Sequence, residues 1–119
     1  MTFLNNYLQR IQKAPLQEVS QVLISLGPGG WRTWKRFSLA AKTALERCSV
    51  IDVPDDRNLC KYKVKFTEAR RKVTFLKGIN CRFSRDPDIC KEQVDDEIAD
   101  LTNSIKDYQT KITKLLRGD

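Results

Sequence analysis

The C-terminal stretch that decides the fold, residues 86–117, reads DPDICKEQVDDEIADLTNSIKDYQTKITKLLR. Asp86 is a suitable N-cap, Pro87 suits the first helical position, and the Asp88 carboxylate faces the positive end of the helix dipole. Apolar side chains then recur at alternating steps of four and three residues: Val94, Ile98, Leu101, Ile105, Tyr108, Ile112 and Leu115. These residues, called the seam below, predict one long helix over 87–117 that packs against another helix.

The preceding segment, residues 57–77, repeats the same spacing. Its apolar positions are Leu59, Tyr62, Phe66, Ala69, Val73 and Leu76, at steps of three and four. About nine residues separate the two segments. Such a short connection favours an antiparallel, coiled-coil-like hairpin formed by residues 57–77 and 87–117.

A second interpretation of the same segment remains open. Cys60, Tyr62, Val64 and Phe66 alternate strictly with lysines, which is the period of a β-strand. Residues 59–77 would then form a basic β-hairpin, and the fold would be α+β. The helical pattern is favoured because it is longer and because residues 68–72 lack the glycine or asparagine of a tight hairpin turn.

The N-terminal residues 1–48 also show helical periodicity. A first helix is predicted from Thr2 to Lys13, and Pro15 opens a second. The sequence GPGG at 27–30 predicts a turn that ends this second helix, and a third helix follows from Trp31 to about Cys48. The expectation is therefore an all-α single domain, 1–119, of four to five helices.

Two tryptophans, Trp31 and Trp34, lie among Arg32, Lys35 and Arg36. Tryptophan beside basic residues is typical of nucleic-acid binders, which stack bases on aromatic rings. Tryptophans three residues apart on an apolar stripe are more often core residues, and that interpretation is preferred here.

The formal net charge of +7 comes from one segment. Residues 57–77 contain eight basic and one acidic side chain. The candidate basic patch comprises Arg57, Lys61, Lys63, Lys65, Arg70, Arg71, Lys72, Lys111 and Lys114. In an antiparallel hairpin we expect residues 70–72 to face the acidic residues at 92–100, so that the charge stays uncompensated at the opposite end.

The four cysteines, Cys48, Cys60, Cys81 and Cys90, flank the two predicted connections. They are candidates for two short disulfides, 48–60 and 81–90, each worth roughly 3 kcal/mol in the chain-entropy model. Free thiols are the preferred expectation, because the sequence shows no export signal and cytoplasmic cysteines stay reduced. Cytoplasmic location, no membrane span, no metal site and no cofactor are therefore expected.

Three classes of function can be compared. An enzyme is not expected, because the chain has no histidine and no recognisable nucleophile setting. A helical assembly or adaptor protein is favoured, in which the seam contacts a protein partner or a second copy of the chain. The alternative is sequence-indifferent binding of nucleic acid, or of another anionic surface such as an acidic protein, through residues 57–77.

Overall fold

The computed structural model describes residues 16–118, with side chains from residue 29 onwards except that of Phe83. Three α-helices account for most of this range: α1, Leu16–Cys48; α2, Pro54–Lys77; and α3, Pro87–Arg117. A short 3₁₀ helix, Cys81–Phe83, lies between α2 and α3. The all-α prediction is confirmed. The alternative β-hairpin at 59–77 is wrong, because these residues belong to α2.

The N-terminal part of the prediction needs one correction. Helix α1 runs without interruption through residues 27–30, where a turn was expected. Glycine and proline disfavour a helix by about 1 and 3 kcal/mol, but such propensities are weak priors that tertiary packing overrides. The described residues therefore form three α-helices where four were predicted in this part of the chain, and the total of four to five helices is not confirmed. The helix predicted from Thr2 to Lys13 lies outside the described residues.

Helix α2 begins three residues before the predicted boundary. Pro54 occupies its first turn together with Asp55 and Asp56. Proline fits this position because its missing N–H has no helical acceptor there, and carboxylates there face the positive end of the dipole. The connection between α1 and α2, residues 49–53, is correspondingly short.

Helix α3 has the termini that its sequence predicts. The Oδ1 atom of Asp86 accepts a hydrogen bond from the Ile89 N–H at 3.1 Å, and Pro87 begins the helix. At the other end Gly118 has the left-handed conformation, with φ of 77°. Its N–H donates to the Leu115 carbonyl at 3.3 Å, so the last turn is capped.

Helices α2 and α3 are antiparallel. Near the connection between them, Leu76 packs with Cys90 and Val94, and near the opposite end the Tyr62 and Tyr108 rings stack with centroids 6.4 Å apart. Of the seam residues, Val94 is buried and the other six are half-buried. The coiled-coil-like character of the hairpin is therefore not confirmed, since a coiled coil buries its seam continuously.

Helix α1 lies along α2 and contributes the indole of Trp34 to the core. Trp34 clusters with Leu76, Cys90 and Val94 at the end of the hairpin where α2 and α3 connect. The exposed fraction of Trp34 is 9%, and Trp31 packs against the same cluster. The tryptophans thus occupy the core positions that their spacing favours.

Two disulfides join the ends of these elements. Cys48 and Cys60 link α1 to α2, with Cα atoms 5.6 Å apart, and Cys81 and Cys90 link the 3₁₀ helix to α3. The preferred expectation of free thiols is therefore wrong, and the pairing is the one between neighbouring cysteines. The physical reason is proximity, because the packing of the helices brings the Cα atoms of each pair to 5.6 and 5.7 Å, the separation that a disulfide requires.

Candidate functional site

The members of the predicted basic patch differ in their exposure. Six of its members are exposed: Lys63, Lys65, Arg70, Arg71, Lys111 and Lys114. Arg57, Lys61 and Lys72 are half-buried. Arg57 donates to the Ile51 carbonyl oxygen at 3.3 Å.

Lys72 is used within the fold. Its Nζ atom lies 3.1 Å from the Glu68 carboxylate and 4.9 Å from the centroid of the Trp34 ring. An ammonium held by a carboxylate and an aromatic face at once stabilises the contact between α1 and α2. Lys72 is therefore a structural residue rather than a free cation.

The predicted charge neutralisation between α2 and α3 is not observed. The ion pairs Lys72–Glu68 and Lys111–Asp107 each lie within one helix, and neither joins α2 to α3. Arg70 and Arg71 are exposed, as are Glu92, Asp95 and Asp96 on α3. The reason is helical geometry, because the sides of α2 and α3 that face each other are apolar and direct the charged side chains elsewhere.

The structure places three exposed cations of α2, Lys63, Arg70 and Arg71, around a groove between α1 and α2. Two adjoining cavities, of about 300 and 500 Å³, form it. They share Phe37, Thr67 and Arg71. The other residues that line one or the other are Ala40, Ala41, Ala44, Lys63, Val64, Phe66, Glu68, Arg70, Thr74 and Phe75. These residues together are called the α1–α2 groove below.

Aromatic rings line much of this groove. Phe37 and Phe75 meet edge to face with ring centroids 5.9 Å apart. The Arg70 guanidinium lies 5.5 Å from the Phe66 ring centroid. Such contacts hold the rings and the guanidinium in place and so reduce the side-chain entropy lost when a ligand binds.

The seam lies against α2 rather than on an open face. Ile98 and Leu101 pack against the core cluster, and Tyr108 packs on Tyr62. Ile105, Ile112 and Leu115 are half-buried. Much of the apolar surface first assigned to a partner helix is therefore in contact with the chain itself.

A small cluster lies near the carboxyl end of α3, where Tyr108 and Lys111 contact the ring of Tyr62 on α2. Burial raises the pKa of Tyr108, and the nearby Lys111 charge opposes this effect. The pKa of Lys111 is also raised, because its ammonium donates to the Asp107 carboxylate, with Nζ and Oδ2 3.0 Å apart. The Lys111 Nζ lies 5.3 Å from the Tyr62 ring centroid. Lys111 is thus paired, whereas Lys63 and Arg71 are not paired with any described carboxylate.

Within the described residues, no cluster of three or more histidine, cysteine, aspartate or glutamate side chains has the geometry of a metal site. All four cysteines are in disulfides, so none provides a thiolate nucleophile. No helix in the described part of the chain is both long enough and apolar enough to span a bilayer. Comparison with protein-family models, with curated proteins and with solved structures finds no match to this chain.

The groove was not predicted as a site, although its residues leave a signal in the sequence. Lys63, Thr67, Arg70 and Thr74 recur at steps of four, three and four, which places polar side chains on one side of α2. On α1, Phe37, Ala40, Ala41 and Ala44 combine one large ring with small neighbours. Each pattern alone resembles an ordinary helix surface, and only the contact between α1 and α2 brings them together.

Proposed function

We propose that the protein is a non-enzymatic adaptor that binds a protein partner by helix–helix contacts, with the α1–α2 groove as the binding surface. The observation that supports this most directly is the combination of ordered aromatic rings with exposed Lys63, Arg70 and Arg71 in one groove. Interface cores are rich in aromatic residues and arginine, and a few such anchors supply most of the binding energy.

The helices that form the groove are held together by covalent and apolar contacts, which favours their use as a binding surface. The Cys48–Cys60 disulfide joins α1 to α2 beside it, and the core cluster around Leu76 joins both helices to α3. A surface held by covalent and apolar contacts loses little freedom on binding, which favours affinity. The two disulfides also favour an oxidising compartment as the working environment, in place of the expected cytoplasm.

Binding of nucleic acid or another anionic surface is the second candidate. The observation that favours it is the exposure of Lys63, Lys65, Arg70 and Arg71 on α2. Basic side chains at such spacing contact phosphates without reading sequence. The apolar residues that line the groove favour the adaptor, because phosphate contacts do not need them.

Site-specific photocrosslinking tests the adaptor proposal. A photoreactive amino acid replaces Thr74, which is exposed and lines the groove, and a matched variant carries it at Asn103, which is exposed on α3. In the protein's own cells we expect a discrete protein adduct from position 74 and none from position 103. Nuclease-sensitive adducts would favour the second candidate, and a dimer of the chain would identify a second copy as the partner. Equal adducts from both positions would contradict a specific groove.

A further inference from the structure

The charge of the groove indicates what kind of partner helix it binds. The inference drawn from it rests on the adaptor function proposed above. Lys63, Arg70 and Arg71 line the groove, and no described carboxylate forms an ion pair with them. The one acidic residue in the lining, Glu68, is paired with Lys72. The groove therefore presents net positive charge to its occupant.

The dimensions of the groove fit a helix. Its lining on α2 extends from Lys63 to Phe75, which corresponds to about 18 Å of helix, or roughly three turns. On α1, Ala40 and Ala44 have small side chains that allow the backbone of another helix to come close. Helix-in-groove recognition places apolar anchors at i, i+3, i+4 and i+7 against apolar rings such as Phe37 and Phe66.

A second copy of the chain fits this groove poorly. The acidic residues Glu92, Asp95 and Asp96 are exposed on α3. The apolar seam of α3 is turned instead toward α2 and the core, as Ile98 and Tyr108 show. Among the side chains described from residue 29 onwards, no helix surface combines exposed carboxylates with a free apolar stripe. These observations favour a helix of a different protein over a second copy of the described helices.

From these observations we infer that the α1–α2 groove binds an acidic amphipathic helix of a partner protein. Apolar side chains of that helix contact Phe37, Phe66 and Phe75. Its carboxylates face Lys63, Arg70 and Arg71 and supply the charges that the described chain does not.

A designed peptide tests this inference directly. The probe is a fluorescein-labelled, hydrocarbon-stapled helix of about 20 residues, long enough to be helical, with leucine at i, i+3, i+4 and i+7 and glutamate beside the leucines. A second probe replaces every glutamate by lysine and keeps the leucines. Fluorescence anisotropy with the oxidised full chain should show binding of the acidic probe only, and its affinity should fall as salt is added.

Charge variants locate the binding site. The double variant Lys63→Glu, Arg71→Glu should weaken binding of the acidic probe about tenfold, because each change replaces an attraction by a repulsion. The double variant Lys65→Glu, Lys106→Glu makes the same change in net charge at exposed residues outside the groove. We expect it to change the affinity less than about twofold. A third variant, Thr67→Trp, fills the groove without a change of charge and should abolish binding of the acidic probe.

Several results would overturn the inference. These are no binding of the acidic probe, equal binding of the basic probe, or equal losses for the two double variants. Tighter binding of a single-stranded oligonucleotide or of phosphatidylserine vesicles than of the probe would do the same. If the acidic probe fails while photocrosslinking from position 74 still yields a protein adduct, only the acidic helix is refuted. If neither experiment detects a protein contact, the adaptor function fails as well.

Discussion

Tyr108 shows at the scale of a single residue how the α2–α3 interface depends on protonation. Its ring stacks on Tyr62, and burial raises the pKa of its phenol above the usual value. A raised pKa means that the folded protein holds this proton more tightly than the unfolded chain. The resulting contribution to stability is complete below the unfolded pKa of about 10 and is lost as the pH rises through the folded pKa.

We therefore expect the free energy of unfolding to fall as the pH rises above about 10. In Tyr108→Phe this fall should be less steep, because phenylalanine keeps the stacked ring and has no proton to lose. Some slope should remain, since the pKa of Lys111 is also raised and acts in the same direction. Urea unfolding of both proteins at a series of pH values checks this, and parallel curves would contradict it.

At the scale of the helices, the glycines of α1 show where helical propensity and tertiary structure disagree. Gly29 lies inside α1, its φ is not positive, and a Cβ atom added to it would meet nothing within 4 Å. Its carbonyl accepts a bond from the Thr33 Oγ1 at 3.0 Å, one turn further on. A glycine loses more backbone entropy on folding than any other residue, and Gly29 adopts no conformation that requires a glycine.

Gly29→Ala should therefore stabilise the protein by about 0.5–1 kcal/mol. Gly118→Ala is the matched substitution with the opposite expected sign, because Gly118 caps α3 with a φ of 77° that alanine adopts with strain. Thermal unfolding followed by circular dichroism measures both changes. A destabilising Gly29→Ala would argue against a continuous α1.

The disulfides make an independent prediction for the same helices. Replacing Cys48 and Cys60 by alanine should reduce the free energy of unfolding by about 2–4 kcal/mol, and so should the corresponding change at Cys81 and Cys90. Denaturant unfolding under non-reducing conditions gives both values. As a control, a reductant that lowers the stability of the parent should affect each double variant less. Unchanged stability of both variants would contradict a structural role.

The helix pattern was predictable from sequence because α2 and α3 have regular apolar spacing and because α3 has a strong N-terminal signal. Asp86 and Pro87 define the start of α3 by their own chemistry, and the seam defines its length. What failed depended on long-range context. The oxidation of the cysteines and the direction of Arg70 and Arg71 follow from packing between helices, which local sequence does not record.

The charge distribution of the whole molecule leads to a prediction about nucleic acids. The groove offers only three exposed cations without a described ion pair: Lys63, Arg70 and Arg71, with Lys65 nearby in sequence. Three or four phosphate contacts give a log–log salt slope of about −2 to −3 for single strands. Binding of random-sequence RNA should therefore fall about 20- to 50-fold between 50 and 200 mM salt.

Fluorescence anisotropy of labelled random RNA and DNA, titrated at several salt concentrations, measures this slope. Under the adaptor proposal, the affinity for RNA and DNA at physiological salt should be much lower than the affinity for the partner helix. Nanomolar binding that persists there, and that Lys63→Glu with Arg71→Glu abolishes, would favour the second candidate over the adaptor.

The position of the disulfides determines what a single proteolytic cut does to the chain. Each bond joins cysteines that are neighbours in sequence, 12 and 9 residues apart, so the crosslinked chain contains two small rings in series that do not interlock. The first ring contains the exposed connection around Val50, which is 80% accessible. A protease that cuts there leaves both pieces joined through sulfur, with α1 still attached to α2. The cut would therefore release no fragment until a reductant breaks the Cys48–Cys60 disulfide and separates the two pieces.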